Sequence, residues 1–241
     1  MSSLSPILAR TPVTAIEDVL AVMQQIEQAL PPVDGVACFN KLYLQVTRDV
    51  LAAEKKGGFQ SIPFLSALDV AFGNLYFAAL RADDAGGASA APPAWRPLLE
   101  ARSSTQIAPI QFALAGMNAH INRDLPVGLV DTFVGMGSDM NDSGAQHDDF
   151  QRVNDVLAVT ETEMRANYFS GLLATLGKTF SSTEDVIANW SVRKARDVAW
   201  SNGEILWKLR QTLPFLATDY IATLDRGCAF ASHLLLQSTA D

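Results

Sequence analysis

The chain has 241 residues, of which 49% are hydrophobic and 18% are charged, and its mean hydropathy is +0.13. This composition provides apolar material for a sizeable core and excludes an intrinsically disordered chain. Eighteen basic residues oppose 26 acidic ones, which gives a formal net charge of −8. Because phosphate binding needs concentrated positive charge, this balance argues against nucleic acids and anionic membrane surfaces as partners.

The two cysteines, Cys38 and Cys228, are too few for a disulfide framework, and we expect buried thiols in a reducing compartment. The first residues lack a basic segment followed by a long apolar one, which is the pattern of a secretory signal. No stretch approaches the ~18 consecutive apolar residues of a membrane span, since Gly73 and Asn74 interrupt the run around residues 70–80. We therefore predict a cytoplasmic protein with no membrane partner.

Helical periodicity dominates the first half of the chain. Apolar residues recur every three or four positions in Ile16–Leu30, and Thr14 with Glu17 is predicted to form a capping box at its start. Further helices are predicted at about Val36–Lys55, Ile62–Arg81 and Trp95–Arg102. The segment Asp83–Pro93 is small and rich in helix breakers, so it is predicted to be an exposed, flexible loop.

The second half shows the same period. A long apolar helix is predicted at Gln106–Leu125, and Pro126 is expected to kink or end it. A polar loop is predicted at Met136–Gln146, followed by a helix at Phe150–Leu176. The next helix is predicted to begin near Thr183, with Ser182 as N-cap, and to run through Trp190 to about Leu213. The last helix is predicted at Phe215–Gln237. No segment shows the two-residue period of a strand. The sequence therefore predicts an all-α, single-domain bundle of about eight helices covering residues 1–241.

The three histidines are His120, His147 and His233. His120 precedes Asp124 by four residues on a predicted helix, so the imidazole and the carboxylate share one face. Such a carboxylate fixes the tautomer of a general base, and we expect this pair to be catalytic, with Asn118 and Asn122 binding substrate. The alternative is a buried polar network that ties the helix to its neighbours. His233 lies among apolar positions, and we expect it to be structural.

Two later stretches carry further candidates. The first begins a predicted helix and contains His147, Asp149, Arg152 and Asn154. Acidic residues at a helix start are also common for electrostatic reasons alone. The second places Trp190, Arg193, Asp197, Trp200 and Glu204 on one helical face. That face suits the wall of a small-molecule pocket, but core packing with an Arg193–Asp197 ion pair is the alternative. Asp69, Asn74 and Tyr76 form a weaker case of the same kind.

No cofactor is predicted. The sequence contains no GxGxxG, GxxxxGK[ST], GxSxG or HExxH motif, so nucleotide, acyl-transfer and zinc-protease signatures are lacking. His120, Asp124 and His147, with Asp148 or Asp149, could hold a single metal ion at most. A metal-dependent hydrolase therefore stays open as an alternative, although no metal is assigned.

Three stretches in the same order carry a family resemblance: FALAGMNAHINRDLPVGL, HDDFQRVNDVL and WSVRKARDVAW. They resemble a bacterial all-helical family of domains of unknown function, marked by HINxDLP, HxDFxxIN and WSxxxAR stretches. The resemblance implies that the three stretches line one site, and it implies no activity. His120 and Asp124 also resemble the HxxxD helix pair of the zinc-dependent phospholipase C and nuclease group. Three histidines cannot rebuild the multi-zinc cluster of that group.

Three functions are compatible with these residues. The first is an enzyme that acts on a small organic molecule in an interhelical pocket, as a lyase, cyclase or hydrolase, and a biosynthetic pathway is a setting that suits it. In it His120 is the acid–base group, Asn154 joins the other amides in positioning substrate, and Arg152 or Arg193 meets an anionic group. The second is the metal-dependent hydrolase. The third is a non-catalytic helical binding or scaffolding protein in which the polar residues are structural.

Overall fold

The computed structural model describes residues 4–141, 143–159 and 191–237. In these residues the backbone forms helices joined by short connections and contains no strand, so the predicted all-α class is confirmed. The helices are α1 (Ser5–Leu8), α2 (Ile16–Ala29), α3 (Gly35–Lys56), α4 (Ile62–Gly86), α5 (Arg96–Ala101), α6 (Pro109–Ala119), α7 (Leu125–Met136), α8 (residues 145–159), α9 (Val192–Thr212) and α10 (Pro214–Leu235). A 3₁₀ turn (Ala88–Ala90) follows α4, and a π-helical turn (His120–Asp124) joins α6 to α7.

The start of α2 lies where the sequence predicts it, but the predicted capping box is wrong. The N-cap residue is Ala15, which has extended backbone angles and makes no side-chain cap. Thr14 therefore lies outside the helix. Glu17 and Asp18 still occupy the first turn, where their negative charges complement the positive end of the helix dipole.

The segment 83–93 is largely helical, so the loop predicted there is wrong, although residues 85–87, 89 and 90 are exposed as expected. The first four of these residues extend α4 to Gly86, and the 3₁₀ turn follows directly. Ala91 is 1% exposed, and Asp83 lies 3.4 Å from the guanidinium of Arg102. Alanine explains the difference, because it favours helix and because its small side chain lets the backbone pack closely on the core.

Pro126 does not end the helix that precedes it. Proline has no N–H, so a regular α-helix would lose a backbone hydrogen bond at this point. The chain widens into the π-helical turn immediately before, and the N–H of Leu125 donates to the carbonyl of His120, five residues earlier. α7 then continues to Met136. The predicted kink is thus replaced by one wide turn, a feature that is frequent at functional sites.

The C-terminal helices differ from the prediction at one boundary. Ser191 is the N-cap of α9 and its hydroxyl accepts from the N–H of Lys194 at 3.3 Å, so α9 begins at Val192. Three parts of the prediction lie outside the described residues: the helix end at Leu176, the next helix start near Thr183, and Trp190. α9 packs on α7 and α10, and α6 packs on α3 and α10.

α4 corrects the expectation that no stretch is long and apolar enough to span a membrane. It has 25 residues and an 18-residue window of mean hydropathy 1.4. A core helix of a bundle can have the same composition, and Phe64, Tyr76 and Phe77 of α4 are buried. Cellular location and the absence of a membrane partner stay predictions.

One hydrophobic cluster runs from Leu4 to Leu236 through the described helices. Close packing in this cluster depends on glycine at one helix crossing. Gly116 of α6 lies against the ring of Phe39 on α3, and a Cβ there would overlap the ring carbons. By contrast, a Cβ at Gly135 of α7 would meet no atom within 4 Å.

We expect Gly116→Ala to lower the free energy of unfolding by about 1–3 kcal/mol, because the added methyl group overpacks the α3–α6 crossing. Urea denaturation measures the change. Gly135→Ala is the matched control and is expected to leave stability unchanged or raise it by up to about 1 kcal/mol, since alanine favours helix. Equal effects of the two substitutions would contradict the assigned packing.

Candidate functional site

The ring of His120 lies inside a box of aromatic side chains. His120 begins the π-helical turn and is 2% exposed. Phe72 stacks parallel to the imidazole with 3.4 Å between ring centroids, and the ring of Tyr43 meets it edge-on at 4.4 Å. The other rings within about 6 Å of it are those of Phe39, Tyr76 and Trp95. These residues come from α3, α4 and the segment before α5, so the imidazole lies at the centre of the bundle.

Asp124 holds the imidazole from one side. Its carboxylate is 0% exposed, and Oδ2 lies 3.1 Å from Nδ1 of His120. Trp95 donates its indole N–H to the same oxygen at 3.0 Å, and Arg123 donates to Oδ1 at 2.9 Å. Arg123 also pairs with Asp225 of α10 at 3.2 Å. The predicted His120–Asp124 pair therefore exists, within a network that joins α5 and α10.

The protonation state of His120 follows from these surroundings. Burial lowers its pKa, and the hydrogen bond and charge of Asp124 only partly oppose that effect. The ring is therefore neutral at neutral pH, and the carboxylate acceptor places its proton on Nδ1. Nε2 is then a hydrogen-bond acceptor, and it is buried with no partner among the described residues. A neutral imidazole with this tautomer has the form of a general base.

The two asparagines near His120 face a neighbouring helix. Asn118 donates to the carbonyl of Cys228 at 2.8 Å and to the hydroxyl of Ser232 at 2.9 Å, both on α10. Asn122 donates to the side-chain oxygen of Asn118 at 3.0 Å. These contacts tie α6 and the π-helical turn to α10, so the predicted substrate-binding amides have structural partners.

The His147 stretch is not joined to the His120 network. The ring of His147 lies against Trp200 with centroids 4.7 Å apart. Asp149 accepts from the backbone N–H groups of Gln60 and Ser61, at 2.7 and 2.5 Å, and so fixes the entry to α4. Across the described ranges, no hydrogen bond or ion pair links His147 or Asp149 to His120 or Asp124, so direct contacts do not form the predicted single polar cluster.

Arg196 is a buried residue that the sequence analysis did not select. Its guanidinium lies 4.0 Å from the ring centroid of Phe150, donates to Asn154 at 2.8 Å and donates to the carbonyl of Phe150 at 2.9 Å. Burial lowers the pKa of Arg196 to about 10. The signal was present, because Arg196 is the last residue of the WSVRKAR stretch. Asn154, which the sequence analysis did select, is therefore a hydrogen-bond partner of Arg196.

The remaining candidates of these stretches lie nearer the surface. Arg193 pairs with Asp155 at 2.8 Å and not with Asp197, which accepts from Gln151 at 3.1 Å. Arg152 donates to the carbonyl of Gly58 at 2.6 Å. Both arginines are half-exposed, whereas Trp200 is buried. Trp190 lies outside the described residues.

His233 lies on the surface of α10 and is exposed, so the apolar residues around it in the sequence do not bury it. The described residues contain no group of three or more His, Cys, Asp or Glu side chains placed to hold a metal ion. His120, Asp124 and His147 all belong to this part of the chain and do not converge, so the metal-dependent hydrolase is not carried forward.

Asp69 is the strongest of the three weaker candidates on α4. Its Oδ2 is buried and has no partner in the described part of the chain. Burial raises the pKa of Asp69 to about 7, the charge of Glu54 adds to the shift, and Arg196 opposes it. Asn74 instead bonds the backbone of Val13.

An open groove of about 1180 Å³ lies on another face, between the starts of α2 and α4, the end of α3 and α7. Its lining is mostly apolar and includes Leu51, Val70 and Met136. Glu54 also lines it, is 9% exposed, and has a buried Oε1 without a partner among the described residues. The residues that line this groove do not include His120.

We expect Asp69→Asn to change the pH dependence of stability. Because the pKa of Asp69 in the folded chain, about 7, exceeds its ordinary value of 3.8, its favourable contribution is complete below about pH 4 and is lost as the pH rises through about 7. Asparagine cannot ionise. In urea denaturation from pH 4 to pH 8 the variant should therefore gain stability relative to the parent as the pH rises.

The exposed Asp219 of α10 provides the matched control. Asp219→Asn should keep a constant difference from the parent across the same pH range. A constant difference for Asp69→Asn as well would contradict the burial of its charge.

The chain was also compared with known proteins. The model of a family described as a family of unknown function, DUF5995, matches residues 16–238. No curated protein and no solved structure matches the chain. The likeness of His120 and Asp124 to the phospholipase C pair therefore rests on those two residues alone. Because the family model covers more than nine-tenths of the sequence, the chain belongs to this family of unknown function.

Proposed function

We propose that this chain is a non-catalytic binding protein for a small organic molecule, and that the groove formed by α2, α3, α4 and α7 is its binding surface. The observation that carries the proposal is Glu54, a carboxylate on a mostly apolar groove wall with one buried oxygen that has no partner among the described residues. Small-molecule sites combine apolar walls with a few placed polar groups in this way.

The size and lining of the groove support the same proposal. Its volume of about 1180 Å³ is larger than the ~300–1,000 Å³ typical of small-molecule sites, as expected for a groove that is open to solvent. Ala67 and Ala71 of α4 line it one helical turn apart, and their short side chains leave the space between the helices unfilled. The apolar residues of the lining are accompanied by a few polar and charged ones, a mixture that suits an apolar molecule with a polar end: Thr14, Glu17, Glu54, Lys55, Ser66, Asp131 and Thr132.

The contacts of His120 also favour binding over catalysis. The imidazole is enclosed by aromatic rings, and Asp124 is satisfied by Trp95 and Arg123 in addition to His120. A general base must come within hydrogen-bond reach of a substrate proton. The groove does not include His120, so the pair is better explained as the polar centre that fixes the positions of α5, α7 and α10.

A substitution that fills the groove tests this proposal. Nile red, a neutral apolar dye, is expected to bind to the parent with increased fluorescence, and Ala67→Leu should weaken its binding at least about fivefold by occupying the groove. Ala52→Leu is the matched control, because Ala52 is exposed on α3 and does not line the groove. Equal dye affinity in the parent and both variants would overturn the groove as the binding surface.

One observation favours the acid–base enzyme as a second candidate function. Nε2 of His120 is a buried acceptor without a partner among the described residues. Asp69, with a pKa of about 7, is a second titratable group, and its negative charge and that of Asp124 both raise the pKa of Tyr43, whose ring contacts His120. Two groups with displaced pKa values are typical of acid–base sites. This candidate function requires an interhelical pocket through which a substrate can reach His120.

The three histidines of the chain provide an internal test of that access. Diethyl pyrocarbonate modifies accessible neutral imidazoles, and peptide mass spectrometry reports each site. The binding proposal predicts rapid modification of the exposed His233 and protection of His120 until the chain is unfolded in urea. Modification of His120 in the folded chain at a rate near that of His147 would instead support the enzyme.

A further inference from the structure

The groove contains a nearly buried acidic group that forms no ion pair with any described residue. Glu54 lies near the end of α3, and Oε1 is buried with no hydrogen-bond partner in the described part of the chain. Burial raises the pKa of Glu54, and the negative charges of Asp149 and Glu17 raise it further. A buried carboxylate without partners is costly, and a bound cation or hydrogen-bond donor would relieve that cost.

The other charged residues of the groove do not supply this cation. Lys55 is the one basic residue in the groove lining; it is exposed and makes no ion pair with Glu54 within the described ranges. Asp131, on the opposite wall, is engaged by Arg210 at 2.9 Å. Glu17 is exposed at the start of α2 and adds a second negative charge to the rim. The charged residues of the groove lining are therefore mostly acidic, and Glu54 is the buried one among them.

The geometry points to an organic amine as the ligand: we propose that a protonated amine on an apolar body binds in the groove, with its ammonium on Glu54 and its apolar body on α4. Val70, Ala71 and Ile62 of α4 provide the apolar surface. An ammonium group donates up to three hydrogen bonds and its positive charge offsets that of the Glu54 carboxylate, whereas an anion would be repelled by Glu54 and Glu17. This inference rests on the proposed binding function of the groove.

Displacement of Nile red by three probes with the same eight-carbon chain tests the inference. At pH 7.5 octylamine, which is protonated, is expected to displace the dye at least about tenfold more effectively than 1-octanol, and octanoate should be the weakest. Glu54→Gln keeps the shape of the side chain and removes its charge. It should therefore abolish the preference for octylamine over octanol without lowering stability. Glu100→Gln, an exposed control on α5 outside the groove, should retain the preference.

The outcomes separate the two proposals. Equal displacement by octylamine and octanol would overturn the amine inference, and so would an amine preference that survives Glu54→Gln. In either case, dye binding that Ala67→Leu weakens would still support the binding function. Dye binding that is insensitive to Ala67→Leu overturns the binding function and the inference together. Loss of the amine preference in Glu54→Gln alone, with the Glu100→Gln control unchanged, supports both.

Discussion

The carboxylate of Asp124 is the group on which the arrangement of this bundle depends. It is fully buried, and a charge in that position is tolerated only when its oxygens are hydrogen-bonded. Its partners are His120 one turn earlier, the indole N–H of Trp95 and the guanidinium of Arg123. Arg123 in turn reaches Asp225 on α10. The segment before α5, the π-helical turn and α10 must therefore occupy fixed positions for the charge to be compensated.

The wide turn at Pro126 makes this convergence possible. Because the N–H of Leu125 bonds the carbonyl of His120, the turn accommodates a proline that cannot donate. The polar side chains of the turn then diverge: His120 enters the aromatic box, whereas Asn122 reaches Asn118 and thereby the face of α10. A short polar sequence in an apolar region thus contacts several helices at once, which explains its density of polar residues in structural terms.

Buried polar groups in the described part of the chain fall into two sets. Asp124, Asn118 and Arg196 have partners from neighbouring helices. Glu54, Asp69 and His120 each keep one buried atom without a partner. Such atoms are few in native proteins, and each requires an explanation in terms of a ligand, water or function. The proposed ligand of the groove would account for Glu54, and burial raises the pKa of Asp69 to about 7.

The sequence by itself determined the helical class, most helix positions and the adjacency of His120 and Asp124, because these follow from a local period of three to four residues. Local patterns also singled out Asp149 and Asn154, but not Arg196, although Arg196 lies in one of the same stretches. They could not determine that Asp149 binds the backbone before α4, since that contact joins residues nearly ninety positions apart.

Burial and long-range pairing decided the rest. Residues 83–93 became helical and partly buried because the core accepts their small side chains, although their composition is that of a loop. The groove and the partnerless oxygen of Glu54 arise only where α2, α3, α4 and α7 meet. No spacing within α3 indicates this, because a charge becomes costly only when other helices exclude water from it, and that exclusion is a property of the tertiary structure alone.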